Sequence, residues 1–351
     1  MKIILDAMGG DNAPEEIIKG AVLAADEFNI DVTLVGNKQK IEDAAAECRL
    51  DISRFPVVHT DVEVEMEDDP LSVRREKKDS SMCLGLRLLA AGEGDALVSA
   101  GNTGALFTAS SLIVRKIHGI HRAAIASIIP VSPPVLLIDA GANVTVTSAY
   151  LDHFAIMGSV YMRCVMETRN PRVGLLNNGA ESGKGTALQI EAYQVLSRNK
   201  NINFVGNIEA NKIGFDCCDV LVADGYTGNI LLKSIEGMGK LFNDSLKRCF
   251  SSDAKSRFAG YLVKGRLREF KTRFDASTYG GAPFLGLNRP VIKAHGSSNA
   301  RAIKNAIGQA IGYSKTGVIQ EIAGEISRIM AEGVKVISEE GSGSVANVPE
   351  V

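Results

Sequence analysis

Tryptophan is absent from the 351 residues, and aromatic side chains make up only 5% of them. A stacking platform for bases or an aromatic-lined pocket is therefore not expected. An excess of one charge is lacking too. Lys and Arg number 39 against 41 Asp and Glu, a formal −2, which argues against a global affinity for nucleic acid. No Cys-x-x-Cys pair occurs among the six cysteines at 48, 83, 164, 217, 218 and 249. With no signal-peptide pattern, they read as reduced thiols in a cytoplasm. No apolar run reaches the roughly 20 residues of a spanning helix. The uncharged stretch nearest that length, Ala123–Ile138, is broken by Pro130, Pro133 and Pro134.

What the chain has in quantity is glycine, 35 residues, gathered in short loops between apolar runs and helical patterns. Asp95–Phe107 shows the arrangement: Ala96-Leu97-Val98 reads as a buried strand, and Ser99, Gly101, Asn102, Thr103 and Gly104 as the loop leaving its C-terminal end. Glycines let the backbone approach a ligand, and the amides of a helix start favour an anion. The same succession recurs. Ile3–Leu5 ends in Asp6, Gly9, Gly10, Asp11 and Pro14 before a helix through Ala25. Val32–Val35 precedes a polar helix at 38–48, and a helix over Met82–Ala91 leads into Asp95–Phe107. The helix after Gly104 is expected to run to near Gly119. Pro134–Ile138 ends in Asp139–Asn143 and is followed by a helix over Leu151–Val165. Arg172–Leu176 leads to a loop carrying Lys184, and Phe204–Val205 to Gly206–Glu209. Val220–Ala223 leads to Asp224, Gly225, Thr227, Gly228 and Asn229, with a helix from Ile230. Val291–Ala294 leads to His295, Ser297 and Ser298.

Apolar strands alternating with helices predict a three-layer α/β/α fold with a mostly parallel sheet. The strand-end loops are expected to converge on one place, as ligand sites in such sheets do. No G-x-G-x-x-G follows the first strand, so a dinucleotide site of the usual kind is not supported. The Lys184 loop is not a nucleotide P-loop, because Lys184 falls one position early and Gly185 separates it from Thr186. A lysine among glycines at a strand end remains a credible phosphate ligand. His118 and His121 stand three apart with no third ligand nearby, so no metal is expected. Asp61–Asp69 holds six acidic residues, answered at once by Arg74, Arg75, Lys77 and Lys78, which reads as an exposed, self-compensating loop.

Residues 245–274 depart from the rest. They hold nine Lys and Arg against Asp253 and Glu269, a net of +7 that leaves −9 on the remainder. Leu246, Phe250, Phe258, Leu262, Phe270 and Phe274 fall at helical spacing, with Gly260 and Gly265 suggesting a break between two helices. A basic amphipathic segment suits a dimer arm, an acidic partner or an anionic membrane.

Ten segments in order resemble the bacterial phosphate acyltransferase (PlsX) family. They are DAMGGDNAP at 6–14, RREKKDSSM at 74–82, VSAGNTGAL at 98–106, DAGANV at 139–144, PRVGLLNNG at 171–179, GKG at 183–185, NFVGNIE at 203–209, ADGYTGN at 223–229, YGGAPFLG at 279–286 and AHGSS at 294–298. The chain departs from the family at His121 and Ala123, where Asp and Pro are usual, and at Asn178 and Ala180, which replace Ile and an acidic residue.

The resemblance implies a fold similar to isocitrate and isopropylmalate dehydrogenases and phosphate acetyltransferase, with residues 1–337 as one catalytic domain, 240–280 as a basic helical excursion and 338–351 as a flexible tail. It implies a homodimer, peripheral at the membrane, that transfers an acyl group from acyl-[acyl-carrier protein] to inorganic phosphate. The acyl phosphate would pass to a glycerol-3-phosphate acyltransferase. No cofactor is implied. A thioester is already activated, so direct attack by phosphate needs no covalent enzyme intermediate; the enzyme must position phosphate and stabilise the oxyanion. Lys184, Asn229 and His295 are the candidate catalytic residues: charge, neutral donor, and either proton donor to the thiolate or loop brace. Asp6, Gly9, Gly10, Asp11, Ser99, Gly101, Asn102, Thr103, Gly104, Asp139, Asn143, Asp224, Gly225, Thr227, Gly228, Ser297 and Ser298 are the candidate phosphate and thioester site. Arg257, Phe258, Leu262, Lys264 and Arg266 are the candidate membrane or partner contacts. The alternatives are a coenzyme A-dependent enzyme like phosphate acetyltransferase, and a non-catalytic binder of phosphorylated metabolites.

Overall fold

On the first strand, β1 (Lys2–Asp6), Ile3 and Leu5 face one side and Ile4 the other, and all three are fully buried. A strand buried on both faces needs helices on both. The computed structural model describes residues 1–273 and 280–342 and shows how they are supplied. After β1 come α1 (Glu15–Phe28), β2 (Asp31–Gly36), α2 (Lys38–Glu47), β3 (Val57–His59), a 3₁₀ turn at Pro70–Arg74, α3 (Ser81–Ala90), β4 (Ala96–Ser99) and α4 (Thr103–Ile113). Then follow β5 (Ala124–Ile129), β6 (Val135–Ile138), α5 (Ser148–Cys164), β7 (Arg172–Asn177), α6 (Ala187–Arg198), β8 (Asn203–Glu209) and β9 (Val220–Val222). The described chain closes with α7 (Gly225–Ser251), α8 (Ala254–Arg273), β10 (Ala282–Leu285), β11 (Val291–Lys293), α9 (Ala300–Lys315) and α10 (Val318–Ser342).

The strands form one sheet in the order β3-β2-β1-β4-β11-β10-β5-β6-β9-β7-β8. Helices α1, α2, α5, α6, α9 and α10 cover one face, and α3, α4 and the first turns of α7 cover the other. The three-layer expectation is met. Burial of the large side chains of this core, Phe154, Tyr161, Met82 and Phe284 among them, is the main stabilising term, at about 1.5–3 kcal/mol for each large apolar group.

The sheet is parallel except at its centre. β10 runs antiparallel to both β11 and β5, and β5 antiparallel to β6. Three reversals leave the parallel half β3-β2-β1-β4-β11 pointing opposite to the half β6-β9-β7-β8. The strand-end loops therefore leave in two groups instead of converging on one edge. The cause lies in β5 and β10, two strands whose apolar runs carry no helical or alternating signature and which the sequence reading leaves out.

Other boundaries differ for local reasons. α4 ends at Ile113 instead of near Gly119, followed by Arg115 at φ 66°, a left-handed residue that ends a helix. β8 continues through Glu209 and absorbs the expected loop, because Gly206–Glu209 pair with β7. α7 begins at Gly225, before Ile230, since the Asp224 side chain accepts the Thr227 N–H and caps it. The helical break in the basic segment falls at Ser252-Asp253, and α8 runs on through Gly260 and Gly265. α10 continues past Ser338, where a tail was expected, to Ser342. The Phe270 side chain, Phe274, Tyr279 and the tail beyond Ser342 lie outside the described residues.

Tyr313 packs edge-on against Tyr161 with its hydroxyl buried and unpartnered. A buried polar group without a partner costs about 1–3 kcal/mol. Tyr313→Phe is thus expected to leave stability unchanged or raise it by about 1 kcal/mol in urea denaturation, whereas a loss of that size would show that the hydroxyl is satisfied.

Candidate active site

Side-chain alternation turns Asp6 on β1, Ser99 on β4 and Lys293 on β11 to the same face, and the register puts them in one row across three adjacent parallel strands. All three are buried. The Asp6 carboxylate accepts hydrogen bonds from the Ser99 and Ser81 hydroxyls, both at 2.7 Å, and from the Met8 N–H. Burial raises its pKa, against the pull of these donors and of Lys293. Lys293 Nζ donates to the Ala100 and Ala294 carbonyls, tying the loops after β4 and β11 together. Burial brings the ammonium down from the ordinary 10.5 to about 8, partly offset by Asp6 and Asp11.

Around this row the loops of the first group interlock. A Cβ on Gly9 would lie 2.6 Å from the Gly101 N, so only glycine admits the approach. The Asp11 N–H donates to the Gly296 carbonyl, and Asn12 reaches the Ser298 carbonyl. The Asn102 side chain is already committed: it caps α4 through the Ala105 N–H and donates to the Met66 and Asp68 carbonyls. It braces the acidic loop and is not a free donor. Thr103 stands exposed on the first turn beside it. His295 Nδ1 accepts the Ser297 N–H at 3.2 Å and lies 2.9 Å from the Ser297 hydroxyl. Burial and Lys233 hold the ring below its ordinary pKa of 6.5. At neutral pH it is therefore uncharged, with its proton on Nε2, while its Nδ1 braces the loop, one of the two roles the sequence left open.

The second group is built round Asp139. Its buried carboxylate accepts from the backbone N–H groups of Ile125, Gly141, Ala142 and Asn143 and from the Asn143 amide. Asn143 also donates to the Ala123 carbonyl. Asp139 and Asn143 thus frame a turn and offer little to a bare phosphate. On this turn α7 is seated. A Cβ on Gly228 would fall 2.0 Å from the Asp139 carbonyl oxygen and one on Gly225 2.7 Å from the Asn143 N, so both glycines serve close packing. The Asp224 carboxylate also takes the Thr227 hydroxyl. Asn229, next to Gly141, is exposed, and its amide has no partner among the described residues. Lys184 leaves the same end of the sheet on the loop after β7, where the Asn177 amide holds the Lys184 carbonyl and the Asn207 amide the Glu181 carbonyl. Its ammonium has no ion-pair partner among the described residues.

The structure thus brings Lys184 and Asn229 to one end of the sheet and Asp6, Asn102 and His295 to the other. α7 connects them. Lys233 stands one turn, about 5–6 Å of rise, beyond Asn229 on the same face, and it and Glu236 act electrostatically on His295. The cation at the Ser99–Gly104 loop is Lys293, not Lys184, because β11 lies beside β4 and β7 lies beyond the antiparallel centre. Lys293 and Lys233 were missed. A lone lysine closing an otherwise apolar strand before a glycine loop was the available signal for the first; nothing local marked the second.

The fold is of the phosphotransacylase class. A phosphotransacetylase from Streptococcus pyogenes superposes with a TM-score of 0.59 at 18% identity, covering 92% of this chain and 94% of that one. A branched-chain phosphotransacylase from Enterococcus faecalis V583 gives 0.58 at 14%, covering 90% and 100%. A 4-hydroxythreonine-4-phosphate dehydrogenase from Klebsiella pneumoniae gives 0.53 at 15%, covering 90% and 99%. Sequence relationship goes further. The model of a family described as fatty acid synthesis protein matches residues 1–321. Proteins named phosphate acyltransferase match closely: that of Clostridioides difficile (strain 630) at 43% identity over 334 residues, 95% of this chain and 98% of the relative, and that of Bacillus licheniformis at 44% over 313 residues, 88% and 93%. The chain belongs to the phosphate acyltransferase (PlsX) family of fatty acid synthesis and is an acyltransferase.

The depressed Lys293 pKa has a consequence for stability. Below about pH 8 the ammonium is charged in both states; between about 8 and 10.5 the folded state loses its proton first, so stability contributed at this site rises with pH. Relative to Lys293→Met, the wild type is expected to gain roughly 2 kcal/mol between pH 7.5 and 10 in urea denaturation. A difference constant with pH would refute the assignment.

Proposed function

We propose that the chain moves a fatty acyl group from acyl-[acyl-carrier protein] to inorganic phosphate by direct attack on the thioester. A phosphate oxygen bonds to the acyl carbon, the carbon–sulfur bond breaks, and the carrier thiolate leaves and takes up a proton. The observation that carries this reading is the 43% identity, over 95% of the chain, to a protein named phosphate acyltransferase. The geometry supports a division of labour. Lys184 and Asn229, both unpaired and at one end of the sheet, supply a charge and an amide donor for phosphate or the developing oxyanion. At the other end His295, uncharged, braces its own loop through Nδ1, Lys293 ties the 99–104 and 295–298 loops together, and Lys233 of α7 reaches towards them.

The acidic carrier protein docks on exposed basic residues. Arg74, Arg75 and Lys78 are exposed beside the acidic loop, whereas Lys77 is folded back, pairing with Asp68 at 3.4 Å and donating to the Glu63 carbonyl. The α7–α8 pair carries exposed Leu241, Phe242, Phe258, Tyr261 and Leu262 beside Arg257, Lys264 and Arg266. That mixture of apolar and cationic surface suits an anionic membrane and the arm of a homodimer. None of the helices among the described residues is long and apolar enough to cross a membrane; the attachment proposed for this pair is peripheral. The acyl phosphate is then delivered to a glycerol-3-phosphate acyltransferase.

Hydroxylamine trapping after incubation with phosphate tests the reaction. Hydroxamate is expected from acyl-[acyl-carrier protein]; a strong preference for acyl-coenzyme A would replace the donor, and none from either would leave a non-catalytic binder. Lys184→Ala should lower carrier-thiol release about 100- to 1000-fold, and near-full release would remove Lys184 from the chemistry. In liposome sedimentation with anionic vesicles, Phe258→Asp with Leu262→Asp should abolish binding; unchanged binding would exclude this helix pair.

A further inference from the structure

At the end of β7 and β8 away from Lys184, a cavity of about 320 Å³ opens between the α5–β7 and α6–β8 connections. Its lining is polar and basic, contributed by Ser159, Arg163, Arg169, Asn170, Lys200 and Asn203 among others. The charges there are unequally matched. Arg163 is held by Glu321 and Glu325 of α10, at 3.0 and 3.3 Å, while Arg169 and Lys200 are exposed and have no ion-pair partner among the described residues. A second, independent feature points the same way. Ser159, in the wall of the cavity, is 4% exposed, and its hydroxyl has no hydrogen-bond partner. Buried hydroxyls are ordinarily satisfied, and this one leaves an unmet polar group behind the cavity wall.

We propose that this cavity binds a small phosphomonoester. A guanidinium fork, an ammonium and amide donors meeting at one place match a doubly charged group with several acceptor oxygens. The volume sits at the low end for small-molecule sites and exceeds what a bare phosphate fills, leaving room for a short hydroxylated carbon part beside the asparagines, of which Asn203 already donates to the Asn170 carbonyl. No aromatic residue lines it, so a nucleobase has no stacking partner. The site is separate from the residues proposed for acyl transfer. Arg172 and Asn177 mark the two ends of β7, about 17 Å apart over five residue steps, and β11, which His295 follows, lies five strands from β7 in the sheet, so one ligand does not span these places.

Isothermal titration of the full chain with glycerol 2-phosphate tests this. Arg169→Gln with Lys200→Gln is expected to weaken binding at least tenfold, with an unchanged urea midpoint because both residues are exposed and make no ion pair. Lys184→Ala is expected to bind as the wild type does. The proposal is overturned by no binding up to 10 mM ligand (roughly a −3 kcal/mol limit on the affinity scale), by equal affinity in the double variant, or by loss of binding in Lys184→Ala. Inorganic phosphate is expected to bind this cavity more weakly than the ester; equal affinity would overturn the ester assignment.

Discussion

The candidate site hangs on the Asp139 carboxylate. Five N–H groups converge on its two oxygens inside the protein, so the turn it frames is fixed in shape. Upon that turn α7 rests backbone to backbone, at Gly225 and Gly228, without the slack that side chains would introduce. Asn229 follows Gly228 directly and inherits its position from this contact. Lys233, a turn later, carries the same rigidity towards His295. Loss of the turn would release the helix that spans the two ends of the sheet, although Asp139 itself need touch no substrate.

The alternation of apolar runs and helical patterns made the layers legible in the sequence, as did most of the parallel strands and the loops at their ends. The resemblance of the ten segments supplied the family, and relatives of near-equal length sustain it. What local pattern did not carry was direction. Whether Pro134–Ile138 runs with or against Ala96–Val98 depends on β5 and β10, strands of six and four residues with neither caps nor periodicity to announce them. The expectation that all the strand-end loops converge on one place, Lys184 with the Ser99–Gly104 loop among them, failed through that omission. Asn102 and Asp139 were read as ligands because capping and bracing use the same residue types as anion binding. Only the partners of their oxygens and nitrogens distinguish the two roles.

Burying Asp6 and Lys293 on the two strands that flank β4 is a costly way to hold two loops, since charged groups removed from water must be compensated. The serine hydroxyls and the two carbonyls provide that compensation. An apolar pair of similar volume would fill the space but would leave the Ala100 and Ala294 carbonyls without donors. The row therefore fixes the separation of the β4 and β11 loops by directional bonds, where packing alone would allow them to slide.

Gly228 lies near one end of a helix of 27 residues, a rod of about 40 Å at 1.5 Å per residue. The short arm, from the seat to Lys233, carries Asn229 and Lys233; the long arm projects to the apolar and basic surface of the α7–α8 pair. Such a rod is a lever with unequal arms. A tilt imposed where the distal end is gripped returns to Asn229 and Lys233 as a movement several times smaller, so that a coarse displacement at the surface becomes a fine adjustment at the reacting groups.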